Sequence, residues 1–351
     1  MTIKNNVPKI ALITIGLILA TGLVWLAVTL SPDRMIDDRH IASSDTQMAV
    51  EVYPPPNPNR VVSLDWNPDG SKIVYSNSSG MVHVMDALSR QTLLTWQGDN
   101  LGETMSVDWS PDGSKIATGG FDKVVNIWDA NIGRLLFTLQ HVNPIDYITS
   151  VAWSPDSTRL AASSMSGTIG IWDILTAQLS VTMSASQVNA IAWSPDGSQL
   201  AAGNGVGTRI WNANTGNLLY SNRAHNGIVT DLAWSSVFNQ LATSGLDKRI
   251  IVWDADTLEV IHTLTQHTDF ITSLDWNSNL LASASVDGTV RIWNGKTGQS
   301  LKVIQTNAPV FATAWSPDGS QLAYGDDQIH ILTVFAPQSN RTADNILHAH
   351  A

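Results

Sequence analysis

Hydropathy divides the chain into three regimes. Ile10 to Leu30 is an uncharged, largely apolar run of 21 residues, 31–47 is polar and mixed in charge without periodicity, and from Met48 short apolar or β-branched runs alternate with Ser, Pro, Asp, Asn and Gly. As a helix rising about 1.5 Å per residue, the first run just crosses a bilayer core of about 30 Å. Residues 1–30 are therefore expected to form a basic lead, with Lys4 and Lys9, and an uncleaved transmembrane helix over 10–30 that contacts lipid. A secretory signal peptide is the alternative, although its apolar stretch is shorter and only Ala27-Val28-Thr29 approximates a cleavage site. The basic lead and the position of the anchor favour a single-pass cell-membrane protein with its bulk on the extracytoplasmic side; cleavage would instead release a secreted one. Residues 31–47 are expected to be a flexible linker and 337–351 a C-terminal tail.

The third regime, 48–336, repeats itself. SLDWNPDGSKI from Ser63, VDWSPDGSKI from Val107, VAWSPDSTRL from Val151 and IAWSPDGSQL from Ile191 are followed by LAWSSVFNQL from Leu232, LDWNSNLLAS from Leu274 and TAWSPDGSQL from Thr313. Their tryptophans, Trp66, Trp109, Trp153, Trp193, Trp234, Trp276 and Trp315, are spaced 43, 44, 40, 41, 42 and 39 residues apart. That period belongs to propeller blades and not to helical arrays. Within each unit, β-branched and aromatic runs separated by turn signals predict a four-stranded antiparallel sheet. In Ser110-Pro111-Asp112-Gly113, proline presets φ, Asp bonds back to the backbone and glycine accepts positive φ. The expected fold is all-β: a seven-bladed propeller, one tryptophan per blade packing against the next blade.

A second tryptophan follows the first after 19, 19, 18, 19 and 17 residues, in Trp128-Asp129, Trp172-Asp173, Trp211-Asn212, Trp253-Asp254 and Trp293-Asn294. Through these pairs the chain resembles the WD-repeat family over residues 48–336. The Ser-Pro-Asp-Gly turns alone also resemble the repeats of other bacterial propellers. Blades 1 and 7 depart, with Met85-Asp86 and Leu332-Thr333 in place of Trp-Asp. The resemblance implies a hydrogen-bonded tetrad of His, hydroxyl, Asp and Trp within a blade. Blade 5 supplies His225, Thr243, Asp247 and Trp253, and blade 6 supplies His267, Ser283, Asp287 and Trp293. Blade 2 keeps Thr118, Asp122 and Trp128 without a histidine, blade 3 keeps His141 beside Ala162 and Ser166, and blade 4 lacks the set. His, hydroxyl and Asp also make a nucleophilic triad. Repetition in two blades against an indole N–H points instead to a structural network.

Composition narrows the function further. A net charge of −11 with scattered Lys and Arg argues against nucleic acid, and zero cysteines exclude disulfides and thiol chemistry. No cofactor motif occurs. Asp65, Asp108 and Asp275 each precede a first-strand tryptophan, and their convergence on one cation would make a metal-dependent propeller hydrolase, the alternative function. Otherwise a monomeric, non-catalytic scaffold for a protein or peptide is expected, because repeat folds offer extended loop-built surfaces. Six residues before each first-strand tryptophan lie Arg60, Glu103, Tyr147, Gln187, Ile228, Phe270 and Pro309, and just before the second-to-third-strand turns lie Phe121, Met165, Leu246 and Val286. In the family this face meets partners, so these residues are the expected binding face. Blade 7 supplies three strands, and Met48 to Tyr53, a strand without a blade, is expected to pair with 328–334 and close the ring.

Overall fold

The computed structural model describes residues 18–19, 22–23, 58–205 and 207–334. Most of the expected anchor, the linker, the closing strand Met48 to Tyr53 and the tail lie outside the described residues. Of the anchor, Ile18–Leu19 and Gly22–Leu23 are described, and there the structure departs from the expected helix: they pair as two short antiparallel strands. No described helix is long and apolar enough to cross a membrane.

Residues 58–334 form a propeller of six four-stranded antiparallel sheets and a seventh in which three strands are described. Blade 2 runs Thr104–Trp109, Lys115–Gly120, Val124–Asp129 and Leu135–Gln140 from the centre outward. Blade 7 comprises Ala312–Trp315, Gln321–Gly325 and Ile329–Thr333. We call upper the face that carries the connections between blades and the second-to-third-strand turns; the other two turns of each blade lie on the lower face.

Strand register follows from turn chemistry. Asp112 accepts hydrogen bonds from the Ser110 hydroxyl at 2.7 Å and the Ser114 amide at 2.8 Å, while Gly113 has φ of 77°. Asp156, Asp196 and Asp318 repeat the arrangement. Each blade is too thin to have a core of its own, so apolar side chains mesh between neighbours. One cluster joins Val125 and Ile127 of blade 2 to Ile148, Val151 and Trp153 of blade 3, and another closes the ring by joining Ala312, Ala314 and Ala323 of blade 7 to Val61, Leu64 and Trp66 of blade 1. Each first-strand tryptophan except Trp234 is buried, as interblade packing requires, and Trp234 is partly so.

In blades 1 to 6 the first strand carries a β-bulge near its upper end, for example between Ile148 and Ser150 and between Val229 and Asp231. The extra residue re-aims the following side chains, and they reach the next blade. Thr149, Asn189, Thr230 and Thr272 donate to the carbonyls of Val188, Val229, Ile271 and Val310, at 2.8, 3.0, 2.6 and 2.7 Å. The hydroxyls of Ser63, Ser106, Ser150 and Ser273 accept the amides of Val107, Val151, Ile191 and Thr313. Blade 7 has Phe311, Ala312 and Ala314 at the corresponding positions. Its seam with blade 1 relies on the Val61 amide donating to the Asp326 carbonyl at 2.8 Å and the Trp66 indole donating to the Ala314 carbonyl at 3.0 Å.

Candidate functional site: the upper face

The two complete tetrads are closed hydrogen-bond chains. In blade 6 the Trp293 indole donates to Ser283 Oγ at 2.9 Å, the hydroxyl meets His267 Nε2 at 2.8 Å, and His267 Nδ1 donates to Asp287 at 2.8 Å. Blade 5 matches it through Trp253, Thr243, His225 and Asp247, at 2.9, 2.8 and 3.0 Å. The bond pattern is that of a nucleophilic triad, but Ser283 and Thr243 are wholly buried and their oxygens already accept an indole N–H. No substrate carbonyl can approach such a hydroxyl. The carboxylates also tie down the loops above, because Asp247 and Asp287 accept the amides of Asn226 and Thr268. Burial alone would raise Asp247, yet hydrogen bonds from His225, the Asn226 amide and Arg249 outweigh it and hold the carboxyl well below the usual range. Burial lowers His267, partly offset by Asp287.

The incomplete blades reach similar ends by other means. In blade 2 the Trp128 indole still donates to Thr118 at 2.9 Å, but buried Asp99 orders the loop by accepting the amides of Leu101, Gly102 and Asp122. Burial and the neighbouring Asp99 push Asp122 up to about 6. In blade 3 His141 accepts the Asn143 amide, and Asp146 accepts the Ser166 amide.

The channel aspartates are interblade clasps. Asp65 accepts the amides of Trp66 and Trp109, each at 2.8 Å; Asp108 accepts that of Trp153 at 2.5 Å; Asp275 accepts those of Trp276 and Trp315 at 2.7 and 2.6 Å. Asp231 does the same with Leu232 and Leu274, at 2.8 and 2.7 Å. Sequence reasoning missed it because it stands three residues before Trp234, where four other blades place serine. Burial raises Asp65 and Asp275 to about 6 and Asp231 to about 7, and Asp108 rises well above the usual range through burial and the charge of Asp65. Among the described residues no group of three carboxylates or imidazoles could hold a metal ion. The carboxylates expected to converge on a cation are engaged with backbone amides instead.

The expected binding face assembles in pairs. The carbonyls of Glu103, Tyr147, Ile228 and Phe270 accept the amides of Phe121, Met165, Leu246 and Val286, at 3.4, 3.0, 2.9 and 2.9 Å, so each entry residue stands beside its blade's turn. Arg60 and Gln187 likewise accept the amides of Ser78 and Gly205. Phe121 and Tyr147 pack against each other across two blades in a tilted pair, ring centroids 4.7 Å apart and planes at 49°, with the Lys123 ammonium 5.7 Å from the Tyr147 ring. The Lys248 ammonium lies 6.0 Å from the Phe270 ring.

Two of these residues depart from expectation. Glu103 is only 6% exposed, because its carboxylate pairs with Arg60 at 2.5 Å and Arg60 in turn covers the Phe311 ring at 4.8 Å. It is a clasp between blades 1, 2 and 7, not a free contact group. Pro309 is exposed but out of register: the Val310 amide donates to Ser285 of blade 6, and Phe311 donates to Gly325 in its place. Leu101 and Ile145, 70% and 78% exposed on the loops that carry Glu103 and Tyr147, extend the apolar surface. Both were missed, since the repeat pattern marks fixed positions and these lie in loops of unequal length.

The WD domain, G-beta repeat description matches residues 90–129, 133–173, 177–211, 216–254 and 258–294, more than half of the chain. Coronin-7 of Mus musculus is 44% identical over 64 residues, 18% of this chain and 7% of that protein. Eukaryotic translation initiation factor 3 subunit I of Aspergillus terreus is 50% identical over 46 residues, 13% of this chain and 14% of that protein. WD repeat-containing protein AAC3 of Dictyostelium discoideum is 33% identical over 61 residues, 17% and 13% respectively. The chain thus spans only a small fraction of these relatives, one or two blades in each case. Five matched repeats, their Trp-Asp pairs and two complete tetrads place this chain in the WD40 repeat family.

Proposed function

We propose that this protein is a membrane-tethered scaffold that holds a protein or peptide partner on the upper face of its propeller. The observation that carries this is the apolar cluster over blades 2 and 3, where the paired rings of Phe121 and Tyr147 adjoin Met165 and the exposed Leu101 and Ile145. Monomeric surfaces rarely keep such groups in water without a use, and rigid aromatic anchors rimmed by charge suit an interface. The buried tetrads hold the loops beneath this face and offer no accessible nucleophile. The uncharged run over 10–30 supports the tether, with the propeller on the extracytoplasmic side.

Affinity capture from detergent-solubilised membranes tests it. Wild-type protein should retain a stoichiometric partner, whereas Ile145→Ser combined with Tyr147→Ala should lose it while Tm moves by no more than about 3 °C, the effect of roughly 1 kcal/mol in a domain of this size. Undiminished capture, or a large fall in Tm, would return the cluster to intramolecular packing.

A further inference from the structure

The repeats provide their own control for the lower face. The turn between third and fourth strands is alike in blades 1 to 6, beginning at Asp86, Asp129, Asp173, Asn212, Asp254 and Asn294, and its carboxylate or amide oxygen accepts amides of the residues that follow. The side chains at its tip are polar in blades 4, 5 and 6: Asn214 accepts the Arg159 guanidinium at 2.9 Å, Asp256 accepts the Asn239 side-chain amide at 2.8 Å, and Lys296 is exposed. Blades 1 and 3 place Leu88 and Leu175 at this position instead, 94% and 95% exposed, and blade 2, which lies between them, keeps Asn131 there but follows it with Ile132, 58% exposed. The fourth strands that leave these turns carry exposed Leu93, Leu135 and Leu179, as those of blades 4 to 6 carry Leu218, Val260 and Leu301, so the turn residues alone set this corner apart. Lys72, Arg90, Lys115 and Arg134 belong to this corner and offset its turn carboxylates, so aliphatic groups here stand among charges of both signs.

We propose that the lower corner of blades 1 to 3 docks on the lipid surface, resting the disc on the membrane with its upper face turned away. The inference rests on the tether proposed above. Residues 31–57, even fully extended at about 3.4 Å each, cannot carry blade 1 more than about 90 Å from the apolar run. A tether this short keeps the disc at high effective concentration near the bilayer, where a few inserted aliphatic side chains suffice to hold it. A zwitterionic surface fits a corner of nearly balanced charge.

The chain has no cysteine, so single sites can be labelled cleanly. Asn131→Cys in blade 2 and Lys296→Cys in blade 6 lie at the same turn position, and both are exposed. The full chain with a bimane label at either site is incorporated into phosphatidylcholine vesicles containing a doxyl-labelled lipid, and flotation is measured alongside quenching. The label at 131 should be quenched at least about twofold more than that at 296. Adding Leu88→Asn, Ile132→Thr and Leu175→Asn, residue types that other blades use in these turns, should bring quenching at 131 down to the level at 296. Equal quenching at both sites, or quenching at 131 that survives the triple substitution, overturns docking and leaves the tether standing. A chain that fails to float overturns the tether, and docking with it.

Discussion

At the scale of single residues, the acidic side chains divide into two populations with opposite pH behaviour. Asp231, partly buried and raised to about 7 by desolvation, is held most stably as the neutral acid. Its contribution to stability is full below the ordinary carboxylate range and is lost as pH rises from about 4 through 7, because ionisation then charges a desolvated group. Asp65 and Asp275, near 6, act in the same sense. Asp247, depressed by His225, the Asn226 amide and Arg249, works oppositely: its stabilisation is present above the ordinary range and fades as pH falls. The propeller should therefore be most stable at about pH 4 and lose Tm between about pH 4 and 7. Asp231→Asn should reduce that slope even if it lowers Tm at pH 5 by leaving one amide without its acceptor. Thermal melts across the interval check this, and an unchanged slope would assign the pH dependence elsewhere. Asp65 and Asp108 could be picked out in the sequence because they abut a tryptophan, but their use could not, since the amides they serve belong to the next blade.

At the scale of elements, strand alternation, the Ser-Pro-Asp-Gly turns and the Trp-Asp spacing were legible because each depends on residues close in sequence. The bulge in the first strands of blades 1 to 6 was not. It changes no residue type and shows only when the strand pairs, yet it aims Thr149, Asp231 and their equivalents across the seams. Blade 7 raises the remaining question for its edge. Its outermost described strand, Ile329–Thr333, would present open ladder groups along its outer side unless another segment pairs there. Met48 to Tyr53 is the segment we expect to do so. Its deletion should yield a propeller that aggregates or melts at least about 5 °C lower, as loss of several ladder bonds and their side-chain contacts requires. Full stability without it, read by circular dichroism and gel filtration, would rule out this closure.

For the whole molecule, cohesion runs around the ring through repeated side-chain clasps, and they are unevenly distributed. Thr272, Ser273 and Asp275 all bind blade 7 to blade 6 by hydrogen bonds, whereas Phe311, Ala312 and Ala314 offer blade 1 no hydrogen-bonding side chain, and Phe311 meets it beneath the Arg60 guanidinium. The seam between blades 7 and 1 should open first. Native-state hydrogen exchange should find the Val61 amide and the Trp66 indole N–H less protected than the amides of Trp153 and Trp315, which bind the aspartates Asp108 and Asp275. Equal protection around the ring would show that the apolar cluster of this seam compensates fully.

The sequence by itself determined the blade count, the strand order and the two tetrads, because a repeated motif specifies a repeated local structure whatever its neighbours. It also marked most of the upper face, since those positions lie at fixed distances from the tryptophans. Only the tertiary structure decided which of them are free: Glu103 is withdrawn into a clasp with Arg60, while Leu101 and Ile145 come forward. It likewise showed the channel aspartates to be structural and set Leu88, Ile132 and Leu175 on one corner. These properties depend on contacts between blades about 40 residues apart, and no local pattern records what a neighbouring blade brings to the seam.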